Sequence, residues 1–500
     1  MIYIDPPYNT GNDFIYEDDF AESTDEFFIK SNQSDEEGNK LVANTEANGR
    51  FHSDWLSMIY PRIKLAKNLL KDDGVIFISI DDSEVDTLKR VCAEIFGDNN
   101  FVATIIWQKV YAPKNSARHF SVDHDYILVF SKNKEMWAPT LLPRTAEQDL
   151  LYKNPDNDPR GPWMSDNLTA RNYYGDGRHE VSGPTGNKFG PGKGRYWRSS
   201  LDNFNKLNSD GRIWWGKDGS NMPRLKRFLS EVSDGRVPQT LWTYKDVGHT
   251  QDAKKELIKY VGFEETANVL NSVKPTKLIE RLIHVATTSD SNDIVLDFFA
   301  GSGPTGHAVM KKNESDNGNR KYILVQISEP LPVEEEKVKS ISDLTKSRLV
   351  SVGKELSTGG STSDIGFRVL KIDSSNMADV YYSPDEVKQG ELEFQSNNIK
   401  EGRNSEDLLF QVLLDWGVDL SLPIRTETIQ GKTVYLVNEA PYDLVACFDD
   451  GVNEALVKEL AGFSPLRVVF RDTGFASDAA KINVAQIFKQ LSPGTDVKSI

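Results

Sequence analysis

Ile2, Tyr3 and Ile4 open the chain as an unbroken apolar run, β-branched and aromatic, and Pro6 and Pro7 follow almost at once. This reads as the end of a buried strand, because proline cannot continue a hydrogen-bonded ladder. Residues 12–49 are polar and acidic without a period, and predict a long loop beside the strand end, the kind of segment that serves as a lid. Helical spacing then takes over: Trp55, Leu56, Ile59, Ile63, Leu65, Ala66, Leu69 and Leu70 fall on one face and predict a helix over 53–71, with Ser53 as its N-cap. GVIFISID (74–81) is a continuous apolar run, the pattern of a strand buried on both faces. A second helix over 83–96 and the strands FVATIIW (101–107) and DYILVF (125–130) come next. Strands alternating with helices predict a mostly parallel α/β sheet with helices on both faces.

The rhythm breaks over 131–262, where Gly, Pro, Asn and Trp are frequent and no clean period runs long. It resumes with the amphipathic segment KPTKLIERLIHVA (274–286), which carries Pro275 in its first turn. DIVLDFFAGSGPTGHAVM (293–310) reads as strand, Gly-rich turn and helix; KYILVQIS (321–328) reads as a strand and 334–350 as a charged helix. LSTGGSTSDIG (356–366) is a small-residue linker, and FRVLKID (367–373) predicts one more strand. Beyond about 380 a separate α/β module is expected, with TVYLV (433–437), LVACFD (444–449) and LRVVFRD (466–472) as strands. The expected domains are therefore 1–130, 131–262, 263–373 and 380–500.

Composition narrows the class. Five hundred residues, 38% apolar and 27% charged, suit a globular chain of two or three domains. No apolar run is long enough to span a membrane, and no signal peptide precedes the first strand. Cys92 and Cys447 are the only cysteines, which excludes a disulfide scaffold and a cysteine zinc site and suits the reducing cytoplasm. The net charge of −16 argues against simple coating of DNA, but residues 101–250 hold 22 Lys/Arg against 16 Asp/Glu and seven of the nine Trp. A basic, aromatic-rich stretch inside an acidic chain is a candidate nucleic-acid surface. Within it, RIWWG (212–216), PRLKRFL (223–229) and GRVPQTLW (235–242) offer cations to phosphates and flat rings to bases, although each single Trp is better read as core.

Two stretches carry chemistry. The first is Asp5-Pro6-Pro7-Tyr8. A carboxylate beside backbone carbonyls that have few partners can accept both N–H bonds of an exocyclic amine and draw its lone pair out of the base ring. Tyr8 can stack on the base, which must leave the duplex to be reached. The plainer reading is a strand-end turn with an incidental acid. The second is the turn after Asp297, where Gly301, Gly303 and Gly306 satisfy G-x-G-x-x-G and Glu329 lies about 20 residues on. Spacing alone allows a dinucleotide. Asp297 opposes that, since its charge would repel a pyrophosphate and favour the cationic end of S-adenosylmethionine. Gln326 or Glu329 is placed to meet a ribose. GNKFGPGKGR (186–195) fails as a phosphate loop, because position 187 is Asn and no Ser or Thr follows Lys193. Lys481 and the acids near it lack the paired carboxylates of a nuclease site.

The order DPPYNTG, GVIFISIDD, a variable basic segment, KPTKLIERLI and DFFAGSGPTGHAVM resembles a β-class DNA amino-methyltransferase. The tail LRVVFRDTGFASDAAKINVAQIFKQLSP is similar to that of the modification (Mod) subunits of Type III restriction–modification systems. The resemblance implies a Rossmann-like S-adenosylmethionine-dependent methyltransferase sheet in permuted motif order, with an inserted target-recognition region and a C-terminal α/β module. It implies N6-methylation of adenine in double-stranded DNA, with cytosine N4 transfer or an inactive DNA-binding subunit as alternatives, no metal, a homodimer, and a separate restriction subunit with helicase and nuclease. It places Asp5, Pro6, Pro7 and Tyr8 at the catalytic centre. Asp297, Phe299, Ala300, Gly301, Ser302, Gly303, Gln326 and Glu329 line the cofactor, while Lys274, Pro275 and Thr276 lead into the helix over its methionine end. Pro304 stands in place of the usual Thr, and Gln326 in place of the usual acidic ribose ligand. Such enzymes carry a strand and helix ahead of the first motif, whereas only four residues precede Asp5 here. The expectation is a truncated chain whose first strand lacks its neighbour.

Overall fold

A computed structural model of the chain describes residues 1–10, 51–232, 235–378 and 399–500. The lid expected over 12–49 lies outside the described residues. The chain divides into two compact units, Met1–Gly366 and Phe367–Ile500.

The first unit is built on β1 (Ile2–Ile4), β2 (Val75–Ile80), β3 (Phe101–Gln108), β4 (His124–Ser131), β5 (Trp163–Asn167), β6 (Ile213–Trp214), β7 (Arg224–Phe228), β8 (Leu241–Trp242), β9 (Ile294–Asp297) and β10 (Lys321–Leu324). Its main helices are α1 (Phe51–Leu69), α2 (Val85–Phe96), α3 (Leu201–Ser209), α4 (Thr250–Val261), α5 (Thr276–Ala286), α6 (Pro304–Asp316) and α7 (Ile341–Thr358). Seven strands form the main sheet, in the order β8-β3-β4-β2-β1-β9-β10. Neighbours run parallel except at β4, which is antiparallel to both β2 and β3.

The first strand does not lack a neighbour. Ile2 pairs with Ile76 on one side and with Leu296 on the other, so β1 is central. Sequence order hid this, because the second neighbour comes from almost 300 residues downstream. The alternation of β1 divides the core. Ile2 and Ile4 meet Trp55, Ile59 and Leu88 of α1 and α2, while Tyr3 faces the side of Leu278, Ile279 and Leu282 of α5. β2 is buried along its whole length, as its continuous apolar run requires.

Segment 131–262 forms a small antiparallel sheet, β6-β7-β5, around Leu168, Trp197, Phe204, Ile213 and Trp215. It then returns to the main sheet, where β8 pairs with β3 through Leu241↔Ile106 and Trp242↔Trp107. Three local expectations are corrected. α1 begins at Phe51, so Ser53 is an internal helical residue and not a cap. The charged helix begins at Ile341 rather than 334, because Ser340 and Asp343 form a capping box there. Residues 367–373 form no strand: Val369, Leu370 and Ile372 are exposed, and no strand among the described residues pairs with them.

The second unit holds α8 (Ser405–Asp415), β11 (Ile424–Ile429), β12 (Lys432–Val437), β13 (Leu444–Cys447), α9 (Glu454–Gly462), β14 (Arg467–Phe470), α10 (Asp478–Leu491) and β15 (Asp496–Ser499). Its strands form one five-stranded mixed sheet in chain order. The three strands expected from sequence lie inside it, and β11 and β15 are its edges. Apolar clusters cover both faces.

Candidate active site

Because β1 and β9 are parallel neighbours, the segments leaving them emerge at the same sheet edge. That register is why Asp5 and the glycine turn meet. Ligands of such sheets bind beyond the carboxyl ends of the strands.

At the end of β1 the two proline carbonyls differ. Pro7 accepts a hydrogen bond from Trp55 Nε1 (2.8 Å), against the expectation for that carbonyl, while Pro6 has no donor among the described residues. Asp5 is held by Lys274, whose Nζ donates to both carboxylate oxygens at 2.7 and 2.8 Å. Lys274 is only 3% exposed, and its ammonium sits 4.9 Å from the centre of the Tyr8 ring. Tyr8 donates a long hydrogen bond to Asp125 (3.4 Å), which is also paired with Lys109 at 2.5 Å. Burial, then the charges of Asp5 and Asp125, push the Tyr8 phenol well above its usual range, so the ring stays neutral. Asn9 takes a left-handed conformation (φ 60°) and donates to the buried Glu84 at 2.7 Å, which fixes the exit of the turn.

The turn after β9 is held from three sides. Asp297 is buried; it accepts from the Phe299 N–H at 3.0 Å and from Thr305 Oγ1 at 2.5 Å. Burial raises its carboxyl to about 7. Its oxygens are thus engaged by the loop itself, and its charge is weaker than sequence suggests. Gly301 donates its N–H to Gln326 Oε1 (2.7 Å), and its carbonyl accepts from Thr345 Oγ1 (2.6 Å). Gly301 and Gly303 have φ of +52° and +74°, the left-handed region that glycine adopts without strain. At Gly306 a Cβ would lie 2.9 Å from Leu349 and 3.0 Å from Leu324, so the third glycine serves close packing of α6. Pro304 is the first residue of α6, where its missing N–H costs nothing.

These parts enclose one cavity of about 590 Å³. Asp5, Pro6, Pro7 and Tyr8 form one side; Asp297 and the run Phe299, Ala300, Gly301 and Ser302 form another, with Lys274, Gln326 and Glu329 also in the wall. Gly303, Pro275 and Thr276 do not line it. Gly303 turns against Thr345, and Pro275 caps α5. Thr276 belongs to a buried polar cluster behind the turn, where Arg348 binds Thr276, Glu256, Ser302 and His307. Burial and the nearby Arg348 lower His307 to about 2, so it is neutral there. Sequence reasoning missed Trp107, Lys109 and Asp125, which also line the cavity. The only signal was their position at or just beyond the ends of two predicted strands, β3 and β4, which β2 separates from the DPPY strand.

Comparison with known proteins decides the class. Residues 1–331 match the family described as DNA methylase, N6/N4 type. The chain belongs to this DNA methylase family. It is similar to the StyLTI Mod subunit of Salmonella typhimurium, a Type III restriction–modification enzyme, at 35% identity over 378 residues, covering 74% of this chain and 56% of the relative. It is similar to the EcoPI Mod subunit of Escherichia phage P1 at 30% identity over 517 residues, covering 95% and 78%. The EcoP15I Mod subunit of Escherichia coli is 29% identical over 536 residues, again covering 95% and 78%. The chain thus spans little more than half of the first relative's length and over three quarters of the other two.

The site of this DNA methylase fits S-adenosylmethionine, the methyl donor of the family. The cavity is within the size range of sites that enclose a small ligand. Phe299 and Ala300 supply an apolar wall. Gln326 has committed its carbonyl to Gly301, whereas the Glu329 carboxylate has no partner among the described residues and is available to ribose hydroxyls.

Proposed function

We propose that this DNA methylase transfers a methyl group from S-adenosylmethionine to N6 of an adenine in double-stranded DNA, as the modification and specificity subunit of a Type III restriction–modification system. One observation carries the reading: the Asp5 carboxylate and the Pro6 carbonyl, which has no donor among the described residues, share a cavity with the Gly301 turn.

The adenine amine is a weak nucleophile, because its lone pair is delocalised into the ring. Asp5 and the Pro6 carbonyl accept its two N–H bonds and favour a tetrahedral nitrogen. Tyr8, neutral and partly buried, stacks on the extruded base. Bound S-adenosylmethionine supplies an electrophilic methyl on a sulfonium. Asp5 would take the proton that the amine gives up on methylation and pass it to solvent. Phe299, Ala300 and Gly301 would hold the donor, and Glu329 would meet its ribose. Cysteine plays no part: Cys92 is buried in the core, and burial pushes its thiol up. The chain acts in the cytoplasm as a homodimer, with a restriction subunit as its further partner. The relatives' printed names as Mod subunits of Type III restriction–modification enzymes support the restriction partner.

The test is Asp5→Ala. Tritium transfer from labelled cofactor to DNA is expected to fall by a factor of about 10³ or more, with cofactor affinity by calorimetry changed by less than about threefold. Retained transfer would refute the assignment. Sequencing of DNA from cells expressing the chain identifies the methylated base and its site.

A further inference from the structure

The loop joining β3 to β4 has no part in the cavity chemistry beyond its root. It runs from Lys109 to Asp123 without regular structure. We propose that this loop enters the DNA duplex and fills the space left by the extruded base, with Phe120 as the wedge. The proposal rests on the base-extrusion reading above.

Position comes first. Lys109 and Val110, at the root, line the cavity that would receive the base. Their backbone N–H groups donate to the Asp123 carbonyl at 2.9 and 3.2 Å, which closes the loop at the cavity rim. Tyr111 sits edge-on to Tyr244 with ring centres 5.1 Å apart, so the root is also braced from the inserted segment.

The tip is fastened as well. The Lys114 N–H donates to Ser121 Oγ (2.8 Å), Ser121 donates in turn to Asp123 (2.5 Å), and the Ala117 N–H donates to the Lys114 carbonyl (3.0 Å). Phe120 stands directly before this staple and is 91% exposed. A lone exposed apolar side chain is ordinary on a protein surface. Here it has company that a water-facing residue does not need: Lys114 and Arg118 are exposed on the same short tip. Cations that meet phosphates, beside an exposed apolar ring on a hydrogen-bonded loop whose root lines a ligand-sized cavity, are the parts of a side chain that inserts between base steps. The positive charge of the tip suits the dense phosphate charge of a duplex.

The experiment separates extrusion from the later steps. The recognition sequence is read first from the DNA of expressing cells. Full-length wild type and Phe120→Ala then methylate short duplexes in which the target adenine faces either thymine or an abasic site. An unpaired base costs less to extrude, so a wedge is needed less. Phe120→Ala is expected to lose about tenfold or more in kcat/KM on the paired duplex and less than about threefold opposite the abasic site. Equal activity of the two proteins on paired DNA would overturn the wedge while leaving the methyltransferase reading intact, as would equal losses on both duplexes. A changed sedimentation coefficient with an unaltered ratio between duplexes would assign Phe120 to a protein interface instead. Wild type inactive on both duplexes would end the underlying reading and this one with it.

Discussion

Lys274 holds the one carboxylate on which the proposed chemistry depends. Its ammonium is almost fully buried and spans both oxygens of Asp5, whose side chain is 22% exposed. Removing one member of such a pair leaves the other charge stranded, which costs more than the pair itself contributes. Lys274→Met is therefore expected to destabilise the protein by about 2–4 kcal/mol, somewhat less than for a fully buried pair because Asp5 keeps some contact with water. The double variant Asp5→Asn/Lys274→Met has no charge left to strand and should recover more than half of that loss, while remaining inactive. Urea unfolding of the two variants and the wild type measures the coupling. A double variant no more stable than Lys274→Met would mean that the two groups do not act as a unit. At this scale the sequence was informative where chemistry is local. Asp5-Pro6-Pro7-Tyr8 declares itself in four adjacent residues. The aim of Lys274 does not, because its bond to Asp5 crosses 269 positions and exists only through the sheet register. Asp297 was legible as a residue of the glycine turn, but not as an acid whose oxygens are taken up by Phe299 and Thr305.

The glycine turn works as an element because α7 braces it from behind. Thr345 places its hydroxyl on the Gly301 carbonyl, and its methyl lies where a side chain at Gly303 would begin. A Cβ there would sit 2.8 Å from Thr345 Cγ2, on a backbone with φ of +74°. Gly303→Ala thus combines a left-handed conformation, costing about 1–2 kcal/mol, with a push on the residue that latches the turn. Cofactor affinity by calorimetry is expected to fall by about tenfold or more. Gly301→Ala meets nothing closer than 4.0 Å and should cost less, which separates the push from the backbone strain. Equal losses would show that Thr345 is not the brace. Most elements of the first unit could be read from period and punctuation, since β2 and α5 bury their apolar residues where the pattern puts them. The misreadings share a cause. FRVLKID has strand-like alternation but no ladder beside it among the described residues, and Leu241–Trp242 is too short to announce the edge strand it becomes. Hydrogen-bonding partners, not local preference, decided both.

For the whole molecule, the problem is how a chain of net charge −16 engages a polyanion. The excess of cations over 101–250 pointed to that stretch, but the structure shows that many of them are already spent. Arg160 pairs with Asp158 and Asp210, and Arg212 with Asp210 and Glu231. Lys226 is buried between Asp156 and Asp158, and Arg198 and Arg227 share Asp166. The tryptophans follow the same rule, with Trp163, Trp197, Trp215 and Trp242 buried in the protein rather than free to stack on bases. The cations left for phosphates include Arg171, Lys193 and Lys217, all exposed and without an ion-pair partner among the described residues. DNA affinity should therefore depend on few contacts and fall with salt along a correspondingly shallow line, each contact contributing about 0.9 to the slope of log K against log salt. Lys193→Glu/Lys217→Glu is expected to weaken binding to all sequences alike and to lower that slope by about 1–2, with the melting temperature unchanged. Arg212→Glu should do the reverse, leaving the slope near its wild-type value and lowering the melting temperature, because it breaks the pairs that tie Asp210 and Glu231 to the small sheet. Fluorescence anisotropy at several salt concentrations separates the two. If Arg212→Glu rather than the double lysine variant flattened the line, the ion-paired arginines would be the DNA-facing ones, and the surface drawn from charge and exposure would have to be redrawn around them.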